Sequence, residues 1–276
     1  MPTLHSNGID MFYETAGQGE PLLLLHGLGS RSDDWQLQLP AFAERYRVVT
    51  ADMRGHGRTD KPPGPYTVPM MATDVFGLLD GLGIAVAHVV GLSMGGMIAF
   101  QMAVDRPERV RSLVIVNSGP ELVARTLNER LRIWQRLALA RLFSPARTAQ
   151  FLGPRLFPKP EQAELRQMFM GQWAENDPRA YRAAMRALVG WSVLDRVDAL
   201  RCPTLVISGD RDYTPTAYKE GYTALIPGAR LVVIEDSGHC LLYTSQDVQE
   251  VEGLRRRGAP ARGAVAAADG TVVVVS

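Results

Sequence analysis

Residues 87–100 read AHVVGLSMGGMIAF, and this stretch decides the fold. An apolar run of strand character, Ala87–Ser93, passes directly into a helical pattern, Met94–Val104. A serine at that junction sits on a sharp, strained turn that holds its hydroxyl clear of the backbone. Only very small residues fit two positions before and after it, hence Gly91 and Gly95. The helix that follows directs its N-terminal amides and the positive end of its dipole toward any negative charge that develops there. Ser93 is the candidate nucleophile.

Working outward, further short apolar runs alternate with helical patterns, the sign of a parallel sheet covered on both faces. The runs are Pro21–Gly27, Tyr46–Asp52, Ser112–Asn117, Pro203–Gly209 and Arg230–Glu235. Ahead of them, Thr3–His5 and Met11–Thr15 flank Asn7-Gly8, which predicts an N-terminal hairpin. Helices are predicted over Asp33–Glu44, Val68–Leu82 and Ala217–Leu225. Asp105-Arg106-Pro107 ends the one that starts at Met94, because a residue before proline avoids the helical region.

The gap between Asn117 and Pro203 is far longer than a usual connection in such a sheet. Residues 120–197 are therefore read as an inserted helical cap, with 1–119 and 198–257 as the core. From Glu121 to Asp198 there are thirteen basic residues against eight acidic ones, read as arginines on solvated helix faces. Residues 258–276 form an atypical tail. Ser245–Arg257 is expected to be a short helix capped by Ser245, and the Val-rich stretch after Asp269-Gly270 a frayed or borrowed strand.

Ser93 needs a base and an acid. In a strand–serine–helix elbow of this kind the partners follow in the chain order serine, acid, histidine. Of five histidines, His5, His26, His56 and His88 precede Ser93, so only His239 completes the order. The acid should end the preceding strand, where Gly209-Asp210-Arg211-Asp212 offers two candidates. Asp212 lies further round the turn and is better placed to reach a neighbouring loop; Asp210 remains open as the alternative, and Asp236 is read as structural. Acyl transfer creates an oxyanion that needs two backbone donors. The loop His26-Gly27-Leu28-Gly29 would supply Leu28 N–H, and the residue after the nucleophile Met94 N–H. His26 itself is expected to brace that loop.

The 276 residues are 46% hydrophobic and 21% charged, as in a globular protein with a substantial core. A net charge of +1 offers no field for nucleic acid. Cys202 and Cys240 read as free buried thiols rather than a disulfide framework. The N-terminus shows no basic region followed by an apolar stretch, and no apolar run approaches the ~20 residues of a membrane span. A cytoplasmic enzyme without a membrane partner is the expectation, and the sequence leaves a homo-oligomer open. No metal or cofactor is expected: metal-ligand spacings are lacking, and no G-x-G-x-x-G follows a strand.

HGLG (26–29), ADMRGHGRTD (51–60), GLSMGGMIAF (91–100), PERVRSLVIVNS (107–118) and GDRD…DSGH together resemble the α/β-hydrolase superfamily over about residues 3–240. The segments around Asp52 and Ser93 look most like its carboxylesterase and 3-oxoadipate enol-lactonase branch. The resemblance implies an α/β-hydrolase fold and a Ser93–Asp212–His239 triad acting on small esters or lactones through an acyl-enzyme. Serine at the elbow sets the chain apart from haloalkane dehalogenases and epoxide hydrolases of this fold, which carry aspartate there. Relatives with these motifs also include thioesterases, cofactor-free perhydrolases and C–C bond hydrolases; an acyltransferase, which shares the first half-reaction, stays open, and a ligand receptor on a hydrolase fold is the reading from another class. The C-terminus departs from the family pattern, in which a longer amphipathic helix follows the histidine.

Overall fold

The computed structural model describes residues 2–244, with side chains through 242, and the backbone of 248–251, 265–266 and 272–275. An eight-stranded sheet forms the centre. In chain order its strands are β1 (Thr3–Ser6), β2 (Ile9–Ala16), β3 (Glu20–Leu25), β4 (Tyr46–Ala51), β5 (Ala87–Leu92), β6 (Val110–Val116), β7 (Thr204–Gly209) and β8 (Arg230–Ile234). Their spatial order is β1-β2-β4-β3-β5-β6-β7-β8. The first two strands are the expected hairpin, and β2 alone runs antiparallel to the rest; every pair in the sheet from β4 onward to β8 is parallel.

The inner strands are continuous apolar runs because both faces are covered, and alternate side chains serve opposite layers. Leu23, Leu25, Val49, Val89, Leu113, Ile115 and Val206 pack on one side, against helices α2 (Val68–Gly81) and α3 (Met94–Asp105). Leu22, Leu24, Val48, Val90, Val114, Leu205 and Ile207 pack on the other, against Trp35, Phe42, Leu241 and Leu242. Burying each such side chain stabilises the fold by about 1.5–3 kcal/mol.

The chain winds from β3 outward to β4, then returns past β3 to β5. That reversal leaves a crevice beyond the carboxyl ends of β3 and β5, the place where open α/β sheets bind ligands. The elbow of Ser93 and the loop of Leu28 both stand there.

Helices α4 (Leu127–Leu142), α5 (Pro145–Leu156), α6 (Ala163–Ala174) and α7 (Pro178–Leu188) occupy the long connection between β6 and β7. Local chemistry starts each cleanly where a side chain can cap. Thr126 and Glu129 form a capping box for α4, Ser144 caps α5 and Asp177 caps α7. A bridge between Glu121 and Ser192 closes the base of the segment. Phe157, Phe169, Trp173, Tyr181 and Met185 form its apolar cluster, which also receives Leu28 and Cys240.

Two local expectations are corrected. Asp33–Glu44 is not one helix but a 3-10 turn, Ser32–Trp35, followed by the five-residue α1, Leu39–Ala43. The Ser32 amide and hydroxyl are tied to the Asp52 carboxylate at 2.8 and 2.7 Å, and Pro40 restarts the helix one residue inside α1. Within the expected helix Ser245–Arg257, Val248–Val251 is instead a strand, β9, paired antiparallel with β11 (Val272–Val275), which also pairs with β10 (Val265–Ala266). Two β-branched valines in β9, paired with a run of four valines, favour a ladder over a helical turn. The rest of that expected helix, including its Ser245 cap, lies outside the described residues. The strand expected after Asp269-Gly270 is β11.

Candidate active site

Ser93 lies between β5 and α3 with φ +52°, ψ −112°, a conformation that L-residues rarely adopt. The surrounding glycines are required by close approach. A Cβ on Gly91 would meet the Gly95 carbonyl oxygen at 2.4 Å, and one on Gly95 would meet the Leu25 oxygen at 2.2 Å. The turn is pinned by Ser93 N–H donating to Val116 O at 2.9 Å and by the Ser118 hydroxyl donating to Ser93 O at 2.6 Å. The hydroxyl of Ser93 is thereby held outward, within 3.1 Å of His239 Nε2.

His239 stands in the loop after β8, and its Nδ1 lies 2.6 Å from Asp212 Oδ1. The structure thus brings Ser93, His239 and Asp212 together in one line. Asp210, the other candidate, turns away: its Oδ1 accepts the Ser237 amide at 2.9 Å and braces the loop that carries His239. Asp236 sits on the surface in ion pairs with Lys159 and Arg211.

The side chain of Asp212 is fully buried. It accepts hydrogen bonds from Lys219 Nζ and Thr214 Oγ1 on Oδ2 and from Tyr213 N–H on Oδ1. Burial alone would raise its pKa, but His239 and Lys219 outweigh it and hold the carboxylate at about 2. Burial lowers the pKa of His239, against the pull of Asp212. Both shifts favour a carboxylate beside a neutral imidazole, with the ring proton on Nδ1 toward Asp212 and Nε2 free to accept from a hydroxyl.

The opposite wall is the loop after β3. Gly27 passes so close that a Cβ on it would lie 3.6 Å from Ser93 Cβ. Leu28 follows in this loop, and Met94 is the first residue of α3, so its amide has no partner inside the helix. Neither amide donates to a main-chain carbonyl among the described residues. His26 braces the loop from beneath: its Nε2 accepts Met53 N–H at 2.9 Å, which leaves Nδ1–H to donate to Gly27 O at 2.8 Å. Trp173 of α6 seals the loop from above, since a Cβ on Gly29 would meet its indole at 2.9 Å.

Three contributors escaped sequence reasoning. Asn117, at the end of β6 with φ +43°, accepts Gly209 N–H on Oδ1 and donates through Nδ2 to the carbonyls of Gly238 and His239, at 3.0–3.1 Å. It ties the acid strand to the histidine loop; a polar residue closing an apolar strand was the only signal. Lys219 reads as a solvated helix residue, yet its side chain is fully buried against Asp212. Tyr213 stacks on the His239 ring, centroids 3.9 Å apart, and its hydroxyl also meets Nε2.

Residues 20–246 match the family model described as alpha/beta hydrolase fold. The chain belongs to the α/β-hydrolase family. It is 30% identical over 262 residues to a protein of Azorhizobium caulinodans named as the carbamate hydrolase RutD, covering 90% of this chain and 95% of that one. It is 30% identical over 217 residues to 3-oxoadipate enol-lactonase 2 of Acinetobacter baylyi, covering 78% and 80%. The crystal structure of an enol-lactonase from Burkholderia xenovorans superposes with a TM-score of 0.81 at 27% identity, covering 87% of this chain and 93% of that one. This α/β hydrolase is thus a hydrolytic enzyme by family. Among its described residues no helix is long and apolar enough to cross a membrane, and Cys202 and Cys240 are free.

Proposed function

We propose that the protein is a serine hydrolase of small carboxylic esters or lactones. The observation that carries this reading is the continuous hydrogen-bonded line Ser93 Oγ–His239 Nε2, 3.1 Å, and His239 Nδ1–Asp212 Oδ1, 2.6 Å. His239 removes the Ser93 proton as Ser93 Oγ attacks the substrate carbonyl carbon. Asp212 holds the imidazole in its tautomer and stabilises the imidazolium. The amides of Leu28 and Met94 bind the oxyanion, each worth about 2.7–4 kcal/mol in systems where such a donor has been removed. His239 then protonates the leaving oxygen, and a water activated by the same nitrogen releases the acid. The segment 120–197 is proposed as a cap over this site.

A panel of short-chain aryl esters, lactones, thioesters and carbamates, each offered with water alone and with added alcohol or peroxide, tests the reading. Multiple-turnover hydrolysis of an ester or lactone is the expected result. A single burst followed by silence would overturn it in favour of a receptor, and faster transfer to peroxide or alcohol than to water in favour of a transferase.

The acid limb of the pH profile follows from the direction of the His239 shift. The base works only when neutral, and its pKa in the fold lies below the ordinary histidine value of 6.5. The acid limb of kcat/KM for a neutral ester is therefore expected below pH 6.5. A limb above that value would assign the base elsewhere.

A further inference from the structure

We propose that Arg136, which α4 lays over Tyr213 beside His239, forms a carboxylate subsite, so that the preferred ester or lactone carries a second, anionic group. This rests on the hydrolase reading above and names the substrate class of that same site. The guanidinium carbon lies 5.1 Å from the centroid of the Tyr213 ring, and that ring is stacked on His239. One face of α4 looks outward through Leu127, Leu131, Trp134 and Leu142, which are 52–81% exposed. Arg136 projects from the opposite side, four residues before the buried Ala140.

Its guanidinium is hydrogen-bonded to Tyr213 but meets no carboxylate of the described residues at ion-pair distance. Arg31, Arg54, Arg58, Arg125 and Arg196 each pair with a carboxylate, whereas Arg136 forms no ion pair among the described residues. The nearest acid of the site, Asp212, is already engaged by His239, Lys219 and Thr214. A cation beside the base, held in no ion pair, works against the imidazolium that the reaction must form, and Arg136 is among the groups that lower the His239 pKa, after burial. A substrate carboxylate on the guanidinium would cancel that opposition as well as supply a charge-assisted, bidentate contact. Both Arg136 and Tyr213 are exposed, so the position is open to a ligand.

The test compares monoethyl glutarate with ethyl pentanoate, which differ by a carboxylate in place of a methyl group. The parent enzyme is expected to favour the anionic ester in kcat/KM by about 10- to 100-fold, the range for a hydrogen bond to a charged group. Arg136→Gln should collapse that ratio toward one, and Arg136→Lys should keep part of it. In parallel, calorimetry on Ser93→Ala measures binding without turnover. Adding Arg136→Gln should weaken monoethyl glutarate binding by about 10- to 100-fold. Equal dissociation constants with and without Arg136 overturn the subsite and leave hydrolysis standing. Binding through Arg136 with neither ester turned over keeps the subsite and overturns the hydrolase reading.

Discussion

Ser93→Ala is expected to lower kcat for ester hydrolysis by about a millionfold, the scale on which removing a triad serine acts in subtilisin. The variant should fold. Alanine keeps the Cβ that the elbow already accommodates, and the serine side chain caps no helix amide. The main-chain anchors of the turn, Ser93 N–H to Val116 O and the Ser118 hydroxyl to Ser93 O, do not involve the deleted oxygen. The oxyanion donors also remain, so a residual rate of about 10³–10⁴ over water is expected. A purified variant with an unchanged melting temperature and activity within about tenfold of the parent would rule out Ser93 as the nucleophile.

The second large effect separates two aspartates that lie two residues apart. Asp212→Asn is expected to reduce kcat by about 10⁴, because an amide facing Nδ1 can donate to it and push the ring proton onto Nε2. That nitrogen then has no lone pair for the serine. Asp210→Asn should cost no more than about tenfold, since its amide oxygen can still accept the Ser237 N–H. The reverse ranking would exchange their assignments. Asp212→Asn also leaves Lys219 buried with a neutral partner, a loss of about 3–5 kcal/mol when a buried pair is broken. Asp212→Asn/Lys219→Met is the control: it should regain stability without regaining activity. In the parent, Asp212 contributes stability that is present above the ordinary aspartate value of 3.8 and is lost as pH falls toward about 2.

Much of the molecule was legible because it is written in short-range rules. Runs such as Leu22–Leu25 and Leu113–Val116 declare buried parallel strands by being apolar at every position, which only a sheet covered on both faces tolerates. Gly91 and Gly95 declare the elbow because backbone atoms occupy the space a Cβ would need. The misreadings fall where a distant partner overrides local pattern. Ser32 is drawn into a 3-10 turn by Asp52, twenty residues on. Val248–Val251 is a strand because Val272–Val275 offers it a ladder.

The amino-acid sequence was enough for the alternating α/β order, the elbow serine and, by the position of the histidines along the chain, the histidine proposed as its base. Each depends on sterics or on order along the chain, which need no knowledge of distant neighbours. Only the tertiary structure decided which aspartate meets His239. That choice depends on how the loops after β7 and β8 are set against each other, and Asn117 sets them from a third strand. The burial of Lys219 and the placing of Arg136 against Tyr213 were decided there too. A lone lysine or arginine on a helix carries no local sign of whether its charge will meet water, a carboxylate or a ligand.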